Sequence, residues 1–280
     1  MNKILTIGNG QLGSFLNKHL KFKNIEVVDY PEVDITNQID IQKMVEENDI
    51  IINAAAYTLV DKAETDQLNC YMINSMGPIM LASECLKQGK RLVHISTESV
   101  YGSNDLNYVP MKETEEKKPV NVYANSKKIA DDYIESLDSN DILLLRPGWL
   151  FGPNNDHNFI EKIKRVIQSK DRISVVDDQI GTMTYVGLVK EAIEAFIEDR
   201  LPAGTYNIGN PEYPSRYEVA CFVRDQINQD CVIERCDSSG FKRVADVAKN
   251  SRLDCSKIKE YVDLDETWQE DVLKVLNGEV

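Results

Sequence analysis

The sequence predicts an α/β protein built on a doubly wound parallel sheet, with a smaller lobe toward the C-terminus. Three observations predict it. Short β-rich runs alternate with longer helical patterns through residues 3–146, the rhythm of parallel strands with helices on both faces. The short runs are apolar throughout, as strands buried on both sides are. The first of them leads straight into a glycine-rich turn and a helix.

Taken in order, residues 3–7 form the first strand, followed by the glycine turn and a helix over about 11–20. A second strand covers 25–29, a helix 39–47 and a third strand 50–53. Residues 68–87 read as one long helix, with apolar side chains at 73, 76, 80 and 81. Strand four covers 91–95, a helix 123–137 and strand five 142–146. The rhythm then breaks at Pro147, Gly148, Gly152 and Pro153, and Asn154-Asn155-Asp156 continues the loop chemistry. A helix at 158–168 and a strand at 173–176 follow. Residues 186–197 and 205–208 look like one more helix–strand unit returning to the main sheet. No clear alternation runs through 210–280. The expected division is a dinucleotide-binding domain from 1–149 and 182–209, and a substrate-binding lobe from 150–181 and 210–280.

Composition bounds the function. The chain has 280 residues, 42% hydrophobic and 28% charged, which is globular and long enough for a sizeable core. Its net charge of −14, without a Lys/Arg-rich run, sets it against nucleic-acid backbones. The apolar runs fall far short of the ~20 residues a membrane-spanning helix needs. The N-terminus runs into a strand with no apolar leader or small-residue cleavage site, so no signal peptide is expected. The cysteines at 70, 85, 221, 231, 236 and 255 contain no C-x-x-C, and the three histidines are scattered. Reduced thiols, no metal and a cytoplasmic location are the expectations.

Two patterns carry chemistry. Gly8-Asn9-Gly10-Gln11-Leu12-Gly13 matches G-x-G-x-x-G between a strand and a helix, the context that gives the pattern meaning. Glycines allow a tight turn and close approach of backbone to a pyrophosphate, and the helix N-terminus offers N–H groups and positive dipole. Asp29, at the end of the second strand, can accept hydrogen bonds from an adenosine ribose. This makes the sheet Rossmann-type, with a dinucleotide as the expected ligand. The second pattern is Tyr123-x-x-x-Lys127 at the start of a helix, which puts phenol and ammonium on one face. A neighbouring cation favours phenolate and brings the phenol toward working range. Ser96-Thr97 ends the fourth strand, where ligands collect in open α/β sheets.

In this order the motifs resemble the extended short-chain dehydrogenase/reductases, and more narrowly the dTDP-4-dehydrorhamnose reductase family. The resembling segments are Gly10–Gly13, Asn53-Ala54-Ala55-Ala56-Tyr57-Thr58 running into Val60-Asp61-Lys62-Ala63-Glu64, Asn74, His94-Ile95-Ser96-Thr97, Pro119 to Tyr123 with Lys127, Arg146 and Trp149, Asn158-Phe159, Asp178-Gln179-Ile180-Gly181 with Thr184, and Asn250 to Asp254. They span nearly the whole chain.

The resemblance implies Thr97, Tyr123 and Lys127 as the catalytic set. It implies Gly10, Gln11, Leu12, Gly13, Asp34, Ile35, Ala54, Ala55 and Ala56, with Tyr123 and Lys127, around the cofactor, beside the Gly8 and Asp29 that the glycine turn and second strand already place there. Thr58, Thr97, Trp149 and Asn158 would meet the substrate, and Asn74 would tie helix to strand. The implied reaction is NAD(P)H-dependent reduction of the C4 ketone of a nucleotide-linked 4-keto-6-deoxy sugar, dTDP-4-dehydro-L-rhamnose to dTDP-L-rhamnose. The alternatives are another nucleotide-sugar reductase or epimerase, or a non-catalytic NAD(P)-binding regulatory subunit. A homodimer stays open. The chain departs from the family pattern at Ile7, Glu98, Ser99 and Val247-Ala248, the later positions lying on the substrate side.

Overall fold

A computed structural model describes residues 2–103, 109–153, 158–241 and 243–279. The expected loop at 154–156 lies outside them. Its central sheet contains β1 (Ile4–Ile7), β2 (Ile25–Val28), β3 (Ile50–Asn53), β4 (Arg91–Ile95) and β5 (Ile142–Pro147). The chain continues through β6 (Trp149–Phe151), β7 (Arg172–Val176), β8 (Ile180–Gly181) and β9 (Met183–Tyr185) to β10 (Gly204–Ile208), which returns to the central sheet. The order across that sheet is β2-β1-β3-β4-β5-β10, and every pairing in it is parallel.

Parallel strands burying both faces must split their side chains between two cores, and these do. Ile50, Ile52, Val93, Leu143 and Leu145 point to one core, Ile51, Leu92, Ile142 and Leu144 to the other. The first core takes Leu12, Phe15 and Leu16 from α1 (Gln11–His19). The second is covered by Ile41 of α2 (Gln38–Glu47).

After α2 the chain forms two short helices, α3 (Val60–Ala63) and α4 (Gln67–Tyr71), and then α5 (Gly77–Gln88) and α6 (Val122–Ser136). Leu81 of α5 and Ile134 of α6 complete the second core. The stretch 68–87, expected as one helix, is broken by a π-helical turn at Met72–Met76 between α4 and α5. That turn holds Asn74, whose side chain bonds both the N–H and the carbonyl of Tyr57 at 2.8 and 3.0 Å. The widened turn brings an amide to the loop after β3, a tertiary demand that helical periodicity does not register.

Beyond β5 come α7 (Phe159–Ser169), α8 (Val186–Ile197), α9 (Arg216–Ile227), β11 (Val232–Cys236), β12 (Asn250–Ser251) and α10 (Trp268–Asn277). Helix α8 adds Val189, Ile193 and Phe196 to the first core. Three two-stranded parallel pairs, β6–β9, β7–β11 and β8–β12, form beside the main sheet. Among the described residues no helix is long and apolar enough to cross a membrane, and no group of acidic, His and Cys side chains suits a metal ion.

Candidate active site

The strand order reverses between β1 and β3, so a crevice opens at their C-terminal ends, where open α/β sheets take ligands. The glycine turn fills one side of it. Gly8 has φ +96°, and a Cβ there would meet the Ala55 backbone nitrogen at 2.7 Å, so the turn and the loop after β3 approach as only glycine permits. A Cβ on Gly13 would lie 1.8 Å from the Gly8 carbonyl oxygen. At Gly10 a Cβ would meet nothing within 4 Å, which leaves open space above the turn.

Helix α1 starts there with no side chain capping its N-terminus and no acidic residue in its first turn. The Gln11 Nε2 is buried without a hydrogen-bond partner. Uncapped N–H groups, an orphaned amide and open space are the donor set a dinucleotide pyrophosphate requires, so the residues present fit that group. Asp29 stands at the rim, its carboxylate accepting from the backbone N–H of Asn9 at 2.9 Å and of Tyr30 at 2.8 Å. Leu12 and Ile35 direct their side chains into the two cores, leaving backbone to face the crevice. Asp34 accepts from both the backbone N–H and the hydroxyl of Thr36, at 2.8 and 2.7 Å. Ala54, Ala55 and Ala56 are half-buried, with Ala54 N–H donating to the Ile7 carbonyl at 2.9 Å.

Strand β4 and helix α6 bring the other group together. Asn121 caps α6 by accepting from Ala124 N–H at 2.8 Å, which fixes where Tyr123 leaves the helix. Lys127, one turn on, is 2% exposed and donates from Nζ to the Ile95 carbonyl at 3.0 Å. Burial pulls its ammonium down to about 8, against the pull of Asp131. The Tyr123 phenol is pushed upward, first by burial and then by the negative charge of Glu98, while the Thr97 hydroxyl acts the other way. Burial and Glu98 thus act against the expected bias toward phenolate. Low dielectric and a facing carboxylate outweigh an ammonium already bonded elsewhere. The phenol remains protonated through the neutral range, the state of a proton donor.

Beside Tyr123 lies a cavity of about 160 Å³. Glu98, Tyr123, Trp149, Arg216 and Arg243 are among its lining residues. Thr97 faces it through Glu98, donating its hydroxyl to Oε2 at 2.7 Å. Burial raises the Glu98 carboxyl, opposed by that bond and by the charge of Arg216. Trp149 reaches the cavity, but its ring is covered by the Arg216 guanidinium, 3.5 Å from the centroid. A Cβ on Gly181 would meet the same indole at 2.7 Å, so glycine is what lets the ring seat there.

Two expected substrate residues do not converge on this cavity. Asn158 is the N-cap of α7, accepting from Glu161 N–H at 3.0 Å and donating to the Gly152 carbonyl at 2.9 Å. Thr58 is exposed, two positions before the cavity residue Val60. Arg216 was not singled out by the sequence, because nothing local marks it within Ser215-Arg216-Tyr217-Glu218. The one available signal was its position, a cation in the first turn of a helix, where the dipole opposes it.

Residues 1–279 match the family model described as the RmlD substrate binding domain. It is 30% identical to a dTDP-4-dehydrorhamnose reductase of Aggregatibacter actinomycetemcomitans, over 92% of each chain. It is 31% identical to the spore coat polysaccharide biosynthesis protein SpsK of Bacillus subtilis, over 83% of this chain and 82% of that one. Among solved structures it resembles a dTDP-4-dehydrorhamnose reductase of Bacillus anthracis in complex with NADP, with TM-score 0.90, 29% identity and 99% of each chain covered.

Proposed function

Because the chain belongs to the dTDP-4-dehydrorhamnose reductase family, we propose that it reduces the C4 ketone of a nucleotide-linked 4-keto-6-deoxy sugar with NADH or NADPH, the sugar being dTDP-4-dehydro-L-rhamnose. The observation that carries this reading is geometric: Tyr123 faces a cavity next to a dinucleotide-type turn and is followed one turn later by the buried Lys127. The domain division follows: 1–149 with 182–209 for the cofactor, 150–181 with 210–280 for the substrate.

A bound NAD(P)H supplies a hydride to the carbonyl carbon. The backbone N–H groups of Gln11 and Leu12 would hold its pyrophosphate, and Asp29 a ribose hydroxyl. Tyr123 gives its phenolic proton to the carbonyl oxygen as negative charge develops there, so no free alkoxide forms. Thr97 orients the same oxygen. Lys127 places positive charge near the phenol as it loses its proton, and the low dielectric around it strengthens that effect. The side chains at the substrate end, Trp149 foremost, exclude water from the reacting carbon. Incubating the protein with dTDP-4-dehydro-L-rhamnose should consume nicotinamide absorbance and yield dTDP-L-rhamnose. No turnover with either cofactor would overturn the proposal.

Two measurements test the cofactor half. Gly13→Ala should destabilise the protein by about 1–3 kcal/mol, because backbone cannot yield to the new methyl without opening the turn. Gly10→Ala should leave the melting temperature unchanged yet weaken NAD(P)H binding, since its methyl would occupy open space meant for phosphate. A Gly10→Ala protein that titrates NADH like the parent would remove the turn from the site. Asp29 suits a free 2′-hydroxyl and repels a 2′-phosphate, and residues 27–34 contain no Arg. NADH should serve at least comparably to NADPH. A preference for NADPH beyond about a hundredfold in kcat/KM, ~2.7 kcal/mol, would contradict this.

A further inference from the structure

We propose that Arg216 is a specificity-determining residue whose guanidinium receives the diphosphate of the nucleotide-linked substrate. The inference rests on the reading above and adds a residue to it. Arg216 opens α9 behind the N-cap Ser215, so its charge stands at the positive end of that helix, where a cation is disfavoured. Among the described residues no carboxylate lies within ion-pair distance of it, and Glu98 acts on it only through space.

The other cavity guanidinium, Arg243, is already held, with Nη2 3.0 Å from Asp61 Oδ2. Arg243 repels Arg216, and burial lowers the Arg216 guanidinium to about 9. Yet the side chain is rigidly placed. It lies 3.5 Å from the Trp149 ring centroid and 4.7 Å from that of Phe159, two faces that fix the plane of the fork. An arginine that is positioned by aromatic rings, opposed by a dipole and a second cation, and open to a cavity is placed to receive an anion. The planar fork of Arg216 matches phosphate oxygens two at a time.

The same residues place that diphosphate. Tyr123 and Arg216 line one cavity, so an anion at Arg216 holds the attached sugar toward the phenol. The role is therefore in ground-state binding and orientation, with the chemistry left to Tyr123.

The test is calorimetric titration of dTDP, thymidine, UDP and inorganic pyrophosphate into the NADPH-saturated protein, for the parent, Arg216→Gln and Arg216→Lys. Loss of a charged hydrogen-bonded contact should weaken dTDP binding by roughly tenfold to a hundredfold in Arg216→Gln, and less in Arg216→Lys, which keeps charge but not the fork. Thymidine binding should be unaffected. The melting temperature of Arg216→Gln without ligand should equal or exceed that of the parent, since a half-buried charge that no ion pair among the described residues holds is removed. A merely structural arginine predicts the reverse pattern, a lower melting temperature with dTDP affinity intact, and that result would overturn the inference. If the parent ignores dTDP but binds UDP or pyrophosphate through Arg216, the inference stands and the dTDP-sugar assignment falls. If no diphosphate binds in an Arg216-dependent way while NADPH still does, the inference fails alone.

Discussion

Tyr123→Phe should lose about 10²–10⁴-fold in kcat with KM little changed, the range general acid catalysis contributes and the pattern of an interaction made only in the transition state. Phenylalanine keeps the ring and its packing, so the melting temperature should hold. The raised phenol sharpens the expectation. Burial and Glu98 keep Tyr123 protonated through the neutral range. The reduction rate should therefore show no loss from phenol ionisation between about pH 7 and 9, the ordinary value already lying near 10. Removing the Glu98 charge should lower the phenol and bring a decline at high pH toward neutrality. A Tyr123→Phe protein that turns over the keto sugar at the parent rate would leave the site with a cofactor turn and no proton donor.

The second large effect is on stability. Arg146, on β5, is fully buried and donates from Nε to Asp131 at 2.9 Å and from Nη2 to Glu135 at 2.7 Å. Both carboxylates are on α6, four residues apart, and Lys127 lies one turn before Asp131 on the same helix. The arginine thus clamps the helix that carries the proton donor onto the strand beneath it. Its Nη1 also donates to the Tyr101 hydroxyl at 2.9 Å. Arg146→Met would leave Asp131 buried without its partner, at a cost of about 3–5 kcal/mol. For a chain of this size that corresponds to a fall in melting temperature of roughly 6–20 °C. Adding Asp131→Asn should recover part of the loss, because the orphaned charge goes with it. A single variant melting within about 2 °C of the parent would show that the network contributes no net stability.

Much of the site was legible because its parts are local. A strand, three glycines and a helix start within ten residues, so the phosphate turn is visible in the sequence between Ile7 and Gly13. The Tyr123–Lys127 spacing is likewise a property of one helix. The parallel sheet followed from apolar runs that alternate with helices, and Ile50–Asn53 begins and ends where its pattern does. The break at Met72–Met76 did not show, since a π-turn forms to deliver Asn74 to a distant loop. The capping role of Asn158 on α7 is legible only in the fold, since it rests on the Gly152 carbonyl and the Glu161 N–H.

What the sequence by itself determined was the order and type of elements and the residues that local geometry obliges to stand together. What only the tertiary structure decided was electrostatic and long-range. How readily Tyr123 ionises depends first on burial and then on Glu98, neither of which the spacing to Lys127 reveals. Whether Trp149 shows a bare face depends on Arg216, 67 positions later in the chain. Charge acts through space and through the dielectric that packing creates, so its effects belong to the folded molecule and not to any segment of it.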